Sequence, residues 1–218
     1  MTSLEAAVEF ATNPEPRCAC VLVLDTSSSM GGAPMRALNE GIAAFAADVA
    51  HDPLARQRVE VCLVKFGGSV DVVHDFVTAG SFEPAELKSG GGTPLGAAVE
   101  KALDLVADRK ATYRANGIAY YRPWVLLVTD GAPTDDWQEA AKRVRQAEAD
   151  NGLAFFAVGT EGADFETLGR IATRTPLHLK GLSFVELFVW LSQSQRRVSA
   201  SRPGDQTALP PVDGWAVV

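Results

Sequence analysis

The chain has 218 residues, 47% of them hydrophobic, with 20 Lys and Arg against 27 Asp and Glu, a formal charge of −7. That length and apolar share suit a single α/β domain with a sizeable core. The acidic balance and the lack of a basic run exclude nucleic acid or an anionic membrane as the main partner, and no apolar run approaches the roughly 20 residues of a membrane span.

Residues 1–16 read as a polar lead-in ending in NPEP. They carry acids early and no basic n-region, so no secretory signal is expected and the protein is placed in the cytoplasm. The first strand is predicted at 18–25, where Val21, Leu22, Val23 and Leu24 form the short apolar run of a strand buried on both faces. Pro34 suits the first turn of a helix whose buried face is Met35, Leu38, Ile42, Phe45 and Val49; it stops before Asp52-Pro53. The second strand, 58–66, turns at Gly67-Gly68 into a third, 70–77, which should run antiparallel at a sheet edge. Three cysteines, Cys18, Cys20 and Cys62, fall among apolar residues and read as small buried hydrophobes. His51, His74 and His178 lack the spacing of a zinc site.

After a Gly-rich loop, Pro94 opens a second long helix with Leu95, Val99, Ala102, Leu103 and Val106 inward. The charged, Tyr-containing stretch 109–122 is expected to be the end of that helix and an exposed loop. A fourth strand, 123–130, again ends in a hydroxyl and an aspartate; a helix at 135–150 carries Trp137, Ala141 and Val144 inward. A fifth strand at 153–159, a short helix from Asp164 and a weak strand at 176–179 follow. Ser183 and Glu186 form a capping box for the last helix, with Phe184, Leu187, Phe188 and Leu191 facing the core. Residues 199–218 read as an extended tail, in which Leu209, Pro210, Pro211 and Trp215 either pack on the sheet's rim or leave Asp205 or Asp213 free to reach another molecule's site. The alternation indicates a doubly wound α/β domain with a mixed sheet.

Three loops converge if strands one and four are neighbours: DTSSSM, SGGGTPLG and TDGAPTD. They offer Asp25, Ser27, Ser29, Thr93 and Asp130, an all-oxygen set suited to a hard divalent cation, Mg²⁺ or Mn²⁺ best, with Ca²⁺ also compatible. Two aspartates only balance a dication. An open coordination position therefore favours a carboxylate from outside, and no general base accompanies the set. Taken singly, each residue also reads as a helix cap or turn: Asp25, Ser27 or Ser29 ahead of Pro34, Thr93 ahead of Pro94, and Asp130-Gly131. An enzymatic alternative, a metal-dependent hydrolase or phosphotransfer protein, needs Asp135 or Asp136 as base. The simpler role of these two is to cap the helix carrying Trp137.

DTSSSM, GGGTPLG and VTDGAPTD together resemble the metal-ion-dependent adhesion site (MIDAS) of von Willebrand factor A (vWA) domains, over residues 17–198. The resemblance implies a three-layer fold with a six-stranded sheet ordered 3-2-1-4-5-6, strand three antiparallel. It further implies that Ser27, Ser29 and Thr93 ligate Mg²⁺ while Asp25 and Asp130 act directly or through water. A partner protein's Asp or Glu would complete the shell, in a binding module rather than an enzyme. GGGTPLGAAVEKAL, TDGAPTDDW, FVWLSQSQRRVSAS and LPPVDGW are similar to bacterial TerY-type (YegL-like) proteins of tellurite-resistance and stress gene clusters. That likeness implies a protein kinase or PP2C-type phosphatase as partner. Ser28 stands where that family usually has glycine, which implies a locally stiffer loop.

Overall fold

A computed structural model describes residues 3–217, with side chains from residue 8 onward. The elements are α1 (Ser3–Thr12), β1 (Cys18–Asp25), α2 (Ala33–His51), the single turn α3 (Ala55–Arg58), β2 (Val59–Gly67), β3 (Ser69–Thr78), α4 (Leu95–Ala115) and β4 (Trp124–Thr129). Then come α5 (Gln138–Ala149), β5 (Ala154–Gly159), α6 (Phe165–Ile171), β6 (Leu177–Leu179), α7 (Phe184–Ala200) and β7 (Ala216–Val217). The sheet order is β3-β2-β1-β4-β5-β6-β7, one strand beyond the six expected. Parallel pairing holds from β2 through β6, and the Gly67-Gly68 hairpin makes β3 antiparallel, as anticipated.

β1 lies inside this sheet, between β2 and β4, and all eight of its residues are buried. Strand alternation sends Leu22 and Leu24 to one face, with Leu38, Ile42 and Phe45 of α2 and Phe184, Leu187 and Phe188 of α7. Val21 and Val23 point to the other, with Val99 and Ala102 of α4, Val144 of α5 and Ile171 of α6. Both faces are thus covered, which is why β1 reads as a continuous apolar run. Among the described residues no helix is long and apolar enough to cross a membrane.

Four local expectations change. Residues 3–12 of the anticipated lead-in are helical, while residues 1 and 2 lie outside the described residues. The stretch 109–122 ends α4 at Ala115 and leaves Ala111, Arg114, Gly117 and Ala119 exposed as expected, but Arg109 and Tyr113 within it are buried. The Ser183 side chain forms no cap hydrogen bond, so the capping box is not made. The C-terminal segment supplies β7, antiparallel to β6, and buries Trp215 beside Trp190 at 5.5 Å between ring centroids. Packing back on the rim, one of the two fates read for this tail, is therefore what Trp215 does.

The first two of these changes share a cause at the amino edge of the sheet. Glu60, fully buried in β2, accepts from Arg17 Nε at 2.8 Å and from Arg109 Nε at 2.7 Å, and the Tyr113 hydroxyl donates to it as well. Arg109 reaches on to Glu9 of α1 at 2.8 Å, and Phe10 lies under both guanidiniums at 5.2 Å. Arg17 and Arg109 balance Glu60 and Glu9, so the buried charge sums to zero. Burial pushes the Tyr113 phenol well above its ordinary range, with the Glu60 charge adding to the effect, so it stays a donor. Removing one member of such a network strands the others in a dry interior at a cost of about 3–5 kcal/mol. Glu60→Ala should therefore lose about that much stability in urea denaturation; a loss within 1 kcal/mol or so would show that the network is not buried as described.

Candidate metal centre

The carboxyl edge of the sheet carries the three loops. Asp25 ends β1 and has no exposed surface. Its Oδ1 accepts from the Ser27 N–H at 2.8 Å and its Oδ2 from the Thr129 hydroxyl at 2.5 Å. That turns the loop sharply into a single 3-10 turn, Ser28–Met30, which brings Ser27 Oγ within 3.0 Å of Ser29 Oγ. Ser29 Oγ in turn donates to Asp130 Oδ1 at 2.7 Å, joining the end of β1 to the end of β4 across 101 residues of sequence. Thr93 is buried, and its hydroxyl faces the same point: a methyl group added at Gly131 would lie 3.7 Å from Thr93 Oγ1 and 4.0 Å from Ser29 Oγ. All five residues singled out in the sequence therefore meet at one place.

The loops hold one another through the backbone. Thr26 N–H donates to Phe66 O at 2.7 Å, Gly90 N–H to Thr26 O at 2.7 Å, and Gly68 N–H to Gly92 O at 2.8 Å. Gly91, at φ +78°, crosses the hairpin so closely that a side chain there would sit 2.5 Å from Gly68 Cα. Ser28 does more than stiffen its own backbone. Its N–H and its hydroxyl both donate to Gly91 O, at 3.0 and 3.1 Å, and so tie the first loop to the glycine loop.

Asp135 differs from expectation. It does not cap the helix that follows it. Its two oxygens accept from Gly96 N–H at 2.9 Å and Ala97 N–H at 2.8 Å, which caps α4 from a distant loop and fixes the chain next to Thr93. Thr134 reinforces this by accepting from Thr93 N–H at 3.0 Å and donating its own N–H to Thr93 O at 2.9 Å. Asp136 takes the local role, accepting from Gln138 N–H at 2.9 Å. None of Asp25, Ser27 or Ser29 caps α2, and Thr93 does not cap α4; the plain capping reading of these residues fails. Thr129, Thr134 and Ser28 were not singled out beforehand as supports. The hydroxyl of Thr129, directly ahead of Asp130, was the one local signal.

Does the cluster suit a cation? Among the described residues no three His, Cys, Asp or Glu side chains are grouped so that they could hold a metal ion, so a metal here would rely on hydroxyl donors as well. Burial pushes the Asp25 carboxyl above its ordinary range and the Asp130 charge pushes it the same way, while hydrogen bonds from Ser27 and Thr129 pull it down. A buried carboxylate short of positive charge, beside convergent neutral oxygens, is a donor set that fits a hard dication.

The sequence matches the model of the von Willebrand factor type A domain over residues 20–184. The chain belongs to this family. A search of curated proteins gave no match. Among solved structures, this vWA domain is similar to the pilus adhesin SpaC of Lactobacillus rhamnosus GG, at 16% identity and TM-score 0.67, covering 84% of this chain and 30% of that one. It is similar to the manganese-loaded TRAP protein of Plasmodium vivax, at 15% identity and TM-score 0.54, covering 79% and 73%. It also resembles proximal thread matrix protein 1 of the mussel byssus with a zinc-occupied MIDAS motif, at 15% identity and TM-score 0.56, covering 82% and 48%. The vWA domain thus spans less than half the length of SpaC and of the byssus protein. At these identities the likeness is one of fold.

Because the Asp25 pKa is raised by folding, its contribution to stability is present below the unfolded value of 3.8 and is lost as pH rises through the higher folded value. Asp25→Asn removes that loss. In EDTA the variant should melt above the wild type at pH 7, the gap closing as the pH falls toward 4, in melting curves across pH. A variant less stable than wild type at every pH would contradict this electrostatic account.

Proposed function

We propose that the chain is a divalent-cation-dependent protein-interaction module, in which Asp25, Ser27, Ser29, Thr93 and Asp130 hold Mg²⁺ and an Asp or Glu of another protein completes its shell. The observation that carries this reading is the Ser27–Ser29–Asp130 chain of contacts closing over buried Asp25 with Thr93 beside it. The byssus protein with zinc in its MIDAS motif, together with the manganese-loaded state of TRAP, supports a divalent metal in this family. A bound cation would supply a positive centre that attracts an external carboxylate.

The chain's own residues favour binding over catalysis. Asp135, the candidate base nearest the loops, has both oxygens occupied at the start of α4. Asp136 is engaged by the α5 amino end. His51 is bonded to Ala47 O in the last turn of α2, His74 lies within β3 and His178 on β6. Among the described residues none of these hydrogen-bonds to Ser29 or Asp130, and we read the protein as a non-enzyme. We take residues 17–198 as the vWA domain. Consistent with its sequence likeness to TerY-type proteins, we place it in the cytoplasm of a bacterium, in a tellurite-resistance or stress complex with a protein kinase or PP2C-type phosphatase as partner.

The test is titration of MgCl₂ into metal-free protein, followed by calorimetry and melting curves. A cation at about 100 times its Kd should stabilise the fold by about 2.7 kcal/mol, and Asp130→Ala or Ser29→Ala should abolish the effect. Partner capture from bacterial lysate should occur with Mg²⁺ and fail with EDTA. Absence of any heat, or a full Mg²⁺ response in Asp130→Ala, would refute the proposal.

A further inference from the structure

At the opposite edge of the sheet from the metal loops lies a half-open cavity of about 800 Å³. Its floor is the amino ends of β4 and β5, including Trp124 and Phe156. One wall is Tyr120 to Pro123, another the α5–β5 turn, and its roof is the segment 204–209 that leads to β7. The size falls within the range of small-molecule sites, roughly 300–1,000 Å³.

Three cations face it: Lys110, Arg122 and Arg174. Arg122 and Arg174 share a single carboxylate, the buried Glu148. Arg174 bonds to it directly, and Arg122 Nη2 lies 3.9 Å from the same oxygen. Arg122 otherwise donates to backbone carbonyls, to Leu153 O at 2.5 Å and Glu148 O at 3.2 Å, which carry no formal charge. Two guanidiniums on one carboxylate leave a local surplus of positive charge. Burial, with the nearby Arg174 charge, holds the Arg122 pKa below its ordinary value. Among the described residues, Arg122 Nη1 and both Nε and Nη2 of Arg174 have no protein acceptor. These are N–H groups in the planar fork arrangement that suits a phosphate or carboxylate.

Asp150 and Asp205 also line the cavity. Each is exposed and already accepts a hydrogen bond, from Gln146 Nε2 and Arg202 N–H respectively, both at 3.0 Å. Their negative charge disfavours an anion next to them, so an anion is expected at Arg122 and Arg174 instead. On that side Phe156, only partly buried, has the Arg174 guanidinium over its ring at 5.1 Å and Trp124 beside it at 4.6 Å. An anionic group at the guanidiniums would therefore carry its carbon body along Phe156, Tyr120 and Leu209.

We propose that this amino-edge cavity binds a small organic phosphate, its phosphate at Arg122 and Arg174 and a flat ring against the aromatic wall. The site is separate from the metal loops and does not depend on them.

AMP serves as the probe, with adenosine and inorganic phosphate as the two halves, titrated by calorimetry and by Trp fluorescence in EDTA so that no cation at the other edge takes part. AMP should bind at least about tenfold more tightly than either half, since one charge-assisted hydrogen bond is worth that much. Arg174→Gln should weaken AMP by about tenfold or more. Because Arg174 also neutralises Glu148, a second variant avoids any question of folding. Asp205→Asn removes an exposed negative charge from the roof and should tighten AMP about threefold. No AMP binding at millimolar concentration, affinity unchanged in both variants, or phosphate alone binding as well as AMP would overturn the proposal.

Discussion

Everything at the carboxyl edge depends on a single constraint: a carboxylate with no exposed surface at the end of β1. Asp25 cannot stay ionised there unless its oxygens are met, and the loop conformation is the one that meets them. Ser27 N–H takes one oxygen and the Thr129 hydroxyl the other. Satisfying the first folds the chain into the turn that sets Ser27 Oγ beside Ser29 Oγ, and satisfying the second locks β1 to β4 beside Asp130. The hydrogen bonds that make the buried charge tolerable are thus the ones that gather the neutral oxygens around it. What they do not supply is positive charge, and this deficit gives the cluster its chemistry.

The two edges of the sheet settle the same electrostatic problem in different ways. At the amino edge Glu60 is matched by Arg17 and Arg109, and Glu9 completes a neutral set, so the network is closed and structural. At the carboxyl edge Asp25 and Asp130 have no ion pair among the described residues, and the loops are held by backbone and side-chain hydrogen bonds between them. A closed network anchors; an open one is available to a ligand. The Arg122–Arg174–Glu148 group is the amino edge's exception, with cations in excess.

Much of the fold was legible because its signals are local. The run Val21–Leu24, the Gly67-Gly68 hairpin, and prolines 34 and 94 each announce an element through nearby residues. The features that escaped are non-local. Arg109 and Tyr113 look solvent-facing until Glu60, about fifty positions earlier, is seen to meet them. Asp135 looks like a cap for its own helix, and only the close approach of its loop to Gly96 redirects it to α4. The weak helix at 3–12 is held by Phe10 and Glu9 against partners that the sequence does not place nearby. From composition and periodicity the five-residue cluster reads as three separate motifs, and the resemblance to vWA domains is what implied that they meet. Their meeting required strands β1 and β4 to be neighbours, which composition and periodicity cannot establish.

The most direct measurement is an anomalous-scattering crystal structure of the protein loaded with Mn²⁺. The account predicts one strong peak at the carboxyl edge, coordinated by Ser27, Ser29 and Thr93 hydroxyls with Asp25 and Asp130 in direct or water-bridged contact. A peak elsewhere, or none at saturating Mn²⁺ in well-ordered loops, would contradict it.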